Sequence, residues 1–185
     1  PRWCPDNSDE DYGEIVTLEY ALANSMNTVT AKLIKDYGTK RVIDLAHALG
    51  IKSYIPNVPS IALGVAQLTL QELVSANAAL VNHGVHVEPT YIARIEDRFG
   101  NPIYEPLQEI REGLDDRTAY RVIQMMKGVV DGAWNEETGT TMGTGIRLRY
   151  NSDKRDYDGI RVPMAGKTGT TQNNTDGWFM GLTPE

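Results

Sequence analysis

The run Val162-Pro163-Met164-Ala165-Gly166-Lys167-Thr168-Gly169-Thr170-Thr171, followed by Asp176-Gly177-Trp178-Phe179-Met180-Gly181-Leu182, leaves the chain little choice of local structure. A segment of small residues crosses a polar turn of Gln, Asn, Thr and Asp and returns as an apolar run. That pattern is a β-hairpin with a loop of five to six residues. Thr168 and Thr170 fall on one face of the first strand, because alternate side chains share a side. Lys167 adds a point charge with three donors, and Gly169 lets another backbone come close. Together these residues suit an extended, anionic, peptide-like ligand lying along a sheet edge.

The 185 residues have room for one ordinary domain, with 41% apolar and 23% charged residues, a soluble globular composition. A net charge of −7 and the lack of any basic run argue against nucleic acid. No apolar run reaches membrane-spanning length, and no signal peptide is visible at Pro1-Arg2-Trp3-Cys4-Pro5. One cysteine, Cys4, cannot pair internally, and His47, His83 and His86 lack a metal-binding arrangement, so no metal or cofactor is expected.

Taken in order, residues 1–13 read as an exposed acidic loop. Thr17 caps a helix with Leu18, Ala21 and Leu22 on one face. The helix breaks at Asn24-Ser25-Met26-Asn27-Thr28, whose short polar side chains compete for backbone. A second helix follows over 28–37, with Val29, Leu33 and Ile34 inward and Gly38 as its stop. A third covers 39–49, with Val42, Leu45, Ala46 and Leu49 inward. After an irregular stretch over 51–64, Thr69-Leu70-Gln71-Glu72 opens another helix that ends near 82–84. Residues 91–95 read as a strand, Phe99-Gly100-Asn101-Pro102 as a turn, and Ile103-Tyr104 as the return. A helix from Asp115 or Asp116 to about Val130 puts Ala119, Val122, Ile123, Met126 and Val130 on one face. Residues 131–158 read as a loop region. Helices early and strands late give an α+β fold class.

Ser-x-Asn occurs twice, as Ser25-Met26-Asn27 and Ser75-Ala76-Asn77. The second pair lies inside a continuous helical pattern, where a serine bonds to its own helix or to water. The first lies at a break between helices, where a hydroxyl and an amide can point into a cleft. The glycine-rich run 139–145 lacks the Lys-Ser/Thr ending of a phosphate loop. Its Thr138-Gly139-Thr140-Thr141 duplicates the later Thr-Gly-Thr-Thr, but Glu137 stands in place of the lysine and no preceding strand is expected. It reads as a flexible loop.

Lys-Thr-Gly is a signature of penicillin-binding proteins and serine β-lactamases. Gly166 to Thr171, then Asp176, Trp178-Phe179 and Gly181-Leu182-Thr183-Pro184, resemble the transpeptidase domain of class A penicillin-binding proteins. So does the neighbourhood from Thr17 to Val29. The third family motif, Ser-x-x-Lys, is missing: no serine here is followed three positions on by lysine. In the family that motif lies upstream, and the domain continues past the last residues here. The resemblance thus implies that residues 1–185 are the C-terminal part of a single transpeptidase domain, truncated at both ends. The implied fold is a partial penicillin-binding/serine β-lactamase-like one, a helical subdomain plus antiparallel strands ending in the Lys-Thr-Gly hairpin.

The resemblance also implies a chemistry. A peptidoglycan D,D-transpeptidase cross-links stem peptides ending in D-Ala-D-Ala through an acyl-serine and is acylated by β-lactams. Lys167, Thr168 and Thr170 would hold the substrate carboxylate, with Gly169 beneath the ligand. The Thr170 N–H would be an oxyanion donor, Ser25 a proton relay, and Asn27 the residue orienting the absent lysine. Asp176 and Trp178 would support the hairpin. The parent is expected to be extracytoplasmic, membrane-anchored and joined to a glycosyltransferase domain, and the piece alone inactive. A D,D-carboxypeptidase, a β-lactamase and a non-catalytic peptidoglycan-binding module are the alternatives. The truncation also implies a partner chain, an oligomer or exposed apolar surface.

Overall fold

The computed structural model describes residues 3–7, 12–13, 15–150, 158–171 and 175–184; parts of the expected N-terminal loop, of the 131–158 region and of the hairpin loop lie outside them. Helix α1, Leu18–Ala23, is capped by Thr17, whose hydroxyl accepts from the Tyr20 N–H at 3.1 Å. The chain breaks at Asn24 and Ser25, and α2 then runs over Asn27–Tyr37. Its N-cap is Met26, which has no polar side chain to offer. Asn7 takes over that task from 21 residues upstream: its Oδ1 accepts from the Thr28 N–H at 3.0 Å and from the Thr28 hydroxyl at 3.1 Å. Asn7 is therefore buried, not part of an exposed loop. The capping bond satisfies a helix-end donor that no nearby residue could reach.

Helix α3, Thr39–Ala48, follows directly, and none of its residues is buried. Val42 and Leu45, expected inward, lie exposed on it, and Leu18 of α1 is exposed as well. Amphipathic spacing marks a face that could be covered, not one that the described residues cover. Exposed apolar residues also line α4 and the segment 91–110 (Val74, Val81, Tyr91, Phe99 and Leu107 among them).

After a 3-10 turn at Pro59–Leu63, α4 spans Leu70–Val81 behind a capping box of Thr69 and Glu72. The Glu72 carboxylate also accepts from the Lys52 N–H (2.8 Å), the Ser53 N–H (2.7 Å) and the Ser53 hydroxyl (2.7 Å). It thereby fastens the 51–53 loop to the start of α4. Inside α4, Ser75 pairs its hydroxyl with Nε2 of His86 at 3.0 Å, and the Asn77 amide donates to the Leu73 carbonyl.

Among the described residues the strands form four antiparallel pairs. Val85–Val87 (β1), Ile95–Glu96 (β2), Pro102–Tyr104 (β3) and Ile110–Glu112 (β4) pair as β1 with β4 and β2 with β3. The strand expected over 91–95 thus shrinks to its last residue and Glu96, and His86 is buried on β1. Helix α5, Asp116–Asp131, is capped by Asp115, whose carboxylate accepts from the Thr118 N–H at 3.0 Å. Its Ala119, Met126, Val129 and Val130 are buried, as its apolar stripe requires. Full burial of each valine stabilises by about 1.5–3 kcal/mol.

The 131–158 region is not simply a loop. Ala133–Asn135 (β5) and Thr140–Met142 (β6) make a hairpin there, followed by a 3-10 turn at Ile146–Leu148. A strand does precede Thr138-Gly139-Thr140-Thr141. Finally, Ala165–Thr170 (β7) pairs with Gly177–Leu182 (β8). Arg149 fastens the approach to β7: it donates to Asp131 at the end of α5 and to the carbonyls of Ile160 and Val162.

Helix α5 is the shared backing, with α1 on one side and β7 on another. A Cβ added at Gly128 would stand 3.4 Å from the Ala23 Cβ and 3.3 Å from the Ala133 Cβ, so only small residues admit this approach. Tyr20, Ala21, Ala23, Met26 and Ala133 form the cluster around it.

Hydrogen bonds from the Thr69 N–H, then from Ser53 and the Thr69 hydroxyl, hold Glu72 well below its ordinary carboxylate range. A carboxylate lowered by folding lends stability that is present above its unfolded pKa and lost as pH falls below it. Glu72→Gln is expected to lower the urea midpoint at neutral pH, and the gap to wild type should shrink as the pH drops below about 4. Paired denaturation curves at the two pH values check this.

Candidate active site

The hairpin sets the direction of every group on β7. Pairing runs from Ala165 opposite Leu182 to Thr170 opposite Gly177, and the Thr171 N–H continues it by donating to the Asp176 carbonyl at 3.1 Å. In an antiparallel ladder successive N–H groups point to opposite sides. The Thr171 N–H faces β8, so the N–H groups of Thr170 and Thr168 face away from it. Among the described residues β7 pairs with β8 only, and this second edge borders a cleft of about 790 Å³.

Ser25 reaches the same cleft from the break between α1 and α2. Its backbone has φ 56, a left-handed conformation that a non-glycine residue adopts at a cost of roughly 1–3 kcal/mol. The turn lifts its hydroxyl off the helix, and the Lys167 ammonium donates to Oγ. Lys167 also donates to the Thr168 carbonyl at 3.0 Å. Asn27 lines the cleft too, and its amide nitrogen donates to the Asp6 carbonyl at 2.7 Å. The structure thus brings Ser25, Asn27, Lys167, Thr168, Gly169 and Thr170 around one cavity. Ser75 and Asn77 are elsewhere, engaged within α4 and with β1.

Lys167 is an unusual cation. Burial pushes its pKa below the ordinary lysine value, and among the described residues no carboxylate forms an ion pair with it. A half-buried ammonium held, among the described residues, by neutral oxygens gains from an incoming anion, since partial desolvation weakens the competition from water. The neighbouring Thr168 and Thr170 hydroxyls and the outward N–H groups add donors to the same region. The arrangement can bind a carboxylate beside an extended backbone and place an N–H on a developing oxyanion.

Two glycines of β7 have different reasons. A Cβ on Gly166 would stand 2.6 Å from the Phe179 ring and 2.8 Å from the Met180 carbonyl, so Gly166 is required by the hairpin itself. A Cβ on Gly169 would meet only the Trp178 Cβ at 3.7 Å, an ordinary contact. The hairpin itself therefore does not require a glycine at 169. At the hairpin's far end, the Thr171 hydroxyl accepts from the Asp176 N–H at 2.8 Å, so Asp176 closes the turn. Trp178 is more than half exposed, less engaged in packing than its size led one to expect.

The cleft also contains a residue that the sequence did not single out. Thr144, between Gly143 and Gly145, lines it beside Thr168. The glycines were the available signal, but they read as flexibility. The described residues hold no cluster of metal-ligating side chains, and Cys4 is exposed and away from this cleft.

A helix break carrying Ser-x-Asn thus faces a hairpin strand carrying Lys-Thr-Gly across an open cleft. The chain belongs to the penicillin-binding protein transpeptidase domain family, whose model matches residues 1–185. Penicillin-binding protein 2D of Bacillus subtilis (strain 168) is 34% identical over 187 residues, covering 99% of this chain and 25% of that protein. Penicillin-binding protein 1A from Haemophilus influenzae superimposes with a TM-score of 0.80 at 21% identity, over 97% of this chain and 30% of that one. Penicillin-binding protein 3 from Mycobacterium tuberculosis, complexed with aztreonam, gives a TM-score of 0.70 at 22% identity, covering 90% and 42%. The chain spans about a quarter of the length of the curated relatives it matches.

Gly166→Ala is expected to destabilise the protein by about 1–3 kcal/mol through overpacking against Phe179. Gly169→Ala should leave stability unchanged or slightly raised while weakening ligand binding at the strand edge; thermal melts and a binding titration separate the two. Anion binding should favour the Lys167 ammonium, so affinity for a carboxylate ligand holds below the lysine's lowered pKa and falls as pH rises through it. Titration of Lys167 by NMR, with and without ligand, reads both.

Proposed function

We propose that this chain is the Lys-Thr-Gly-bearing, C-terminal part of a serine D,D-transpeptidase domain that cross-links peptidoglycan stem peptides and is acylated by β-lactams. The observation that carries this reading is the half-buried Lys167 ammonium, seated on the Ser25 hydroxyl and, among the described residues, without a carboxylate partner. The family match, the penicillin-binding protein names of its relatives and the aztreonam complex of the mycobacterial structure support it.

In the proposed reaction the C-terminal carboxylate of a D-Ala-D-Ala stem lies against Lys167, Thr168 and Thr170. A serine of the parent polypeptide, from a Ser-x-x-Lys motif absent here, attacks the penultimate carbonyl. Its proton passes to the leaving amine, by way of Ser25, as the C–N bond breaks and D-alanine departs. The Thr170 N–H stabilises the oxyanion, a contribution of about 3–4 kcal/mol for one well-placed donor. An amine of a neighbouring stem then attacks the ester, its proton returns to the serine, and the cross-link is complete. Asn27 orients the motif lysine and the substrate backbone.

The reading places the parent on the outer side of the cytoplasmic membrane, with its anchor and a glycosyltransferase domain elsewhere in its chain. Among the described residues no helix is long and apolar enough to cross a membrane.

Incubating this chain with benzylpenicillin should give no covalent adduct by intact mass, while the full-length parent gains one acyl group. Adduct on a serine of this chain would overturn the assignment of the nucleophile. In the parent, Lys167→Ala should slow acylation by at least about 100-fold, the scale of losing a charge-assisted contact to the reacting ligand. Unchanged kinetics would remove Lys167 from the site.

A further inference from the structure

The Thr144 hydroxyl has two partners, one on each side of the cleft. Its own hydrogen goes to the Ala23 carbonyl at 3.1 Å, since a carbonyl oxygen only accepts. The Thr168 hydroxyl in turn donates to the Thr144 oxygen at 2.8 Å. The Thr144 backbone N–H donates to the same Ala23 carbonyl at 2.9 Å. Ala23 is fully buried and ends α1, two residues before Ser25. Thr144 is held in place by its flanks: a Cβ on Gly143 would run into the backbone carbonyls at the end of α5, and the Gly145 N–H donates to the Val129 carbonyl at 2.8 Å.

This geometry conflicts with a simple role for Thr168. A carboxylate accepts and cannot donate, yet the one Thr168 hydroxyl hydrogen is turned toward Thr144. For Thr168 to serve a carboxylate, that hydrogen must rotate into the cleft. Its oxygen then needs a donor in place of the bond given up, and Thr144 is the group at 2.8 Å. Thr144 can swing its hydrogen from Ala23 to Thr168, because the Ala23 carbonyl keeps the Thr144 backbone N–H. No buried group is left without a partner in either arrangement.

We propose that Thr144 is a positioning residue that sets Thr168 for the anionic end of the ligand, through a two-hydroxyl relay whose direction reverses when a carboxylate enters the cleft. The inference rests on the transpeptidase reading of this site. Accepting a hydrogen bond from Thr144 also polarises the Thr168 hydroxyl and makes it a stronger donor. Thr144 touches no reacting atom; its effect reaches the ligand through Thr168.

The test uses the full-length parent and two probes, benzylpenicillin and its methyl ester, which differ only in the anionic group. Thr144→Val keeps the backbone bond to Ala23 and the side-chain shape but loses the relay. It should lower the acylation rate constant for benzylpenicillin by about tenfold, one neutral hydrogen bond to a charged acceptor, and change that for the ester by less than about twofold. Thr144→Ala should show the same split, and Thr144→Ser should restore the rate with benzylpenicillin. Equal losses on both probes would mean a merely structural threonine, and no loss on either would mean none is needed; each overturns the relay. Wild-type protein that gives no adduct with benzylpenicillin would instead take away the transpeptidase reading and the relay with it.

Discussion

The site rests on one half-buried ammonium group that has no carboxylate partner among the described residues. Lys167 is held on a hydroxyl and a carbonyl, neutral oxygens that offset only part of the cost of leaving water. Both oxygens must therefore be placed accurately, and they come from segments far apart in sequence. Helix α5 supplies the common reference: α1 lies on it through Ala23 and Gly128, and β7 packs against it as well. Contacts between residues this small have no long side chains to adjust. The distance from the Ser25 turn to the Lys167 strand is then set by backbone and little else.

Pairing strain with an incomplete electrostatic environment makes sense of the Ser25 conformation. A helical Ser25 would bond back to its own helix, as Asn77 does in α4, and would not meet the lysine. The left-handed residue ends α1, turns the hydroxyl outward and starts α2 anew. The buried Asn7 cap then fixes the new helix from a distance, so the break is held from both sides.

Much of this was legible in the chain. The Lys-Thr-Gly hairpin, the break at Ser25 and the helices ending at Tyr37 and near Val81 and Val130 follow from small-residue strands, turn chemistry and apolar spacing, all local signals. The choice between the two Ser-x-Asn sequences also rested on local grounds, because Ser75 lies in an unbroken helical pattern. What was not legible depends on distant partners. Strands of three residues, such as β5 and β6 or β1 and β4, are too short to show a period, and their pairing is decided by what α5 and α4 leave room for. Asn7 looked like loop composition because its helix lies 21 residues away. Val42 and Leu45 looked inward because spacing identifies an apolar face without naming a cover. Thr144 was hidden by its glycines, which serve close packing against α5 as well as freedom.

The open edge of β7 carries a hazard along with its use. A strand edge ready for an extended ligand is equally ready for another extended chain, including a second copy of itself, and proteins usually blunt such edges with charge or poor strand formers. Here the blunting and the proposed recognition groups are the same residues. Gly169 weakens the strand as a template, and Lys167 would meet its own image if two such edges came together side by side, ammonium against ammonium in a poorly solvated seam. The residues that would welcome an anionic peptide are thereby the ones that turn away a second copy, and colloidal behaviour and ligand choice become two readings of a single charge.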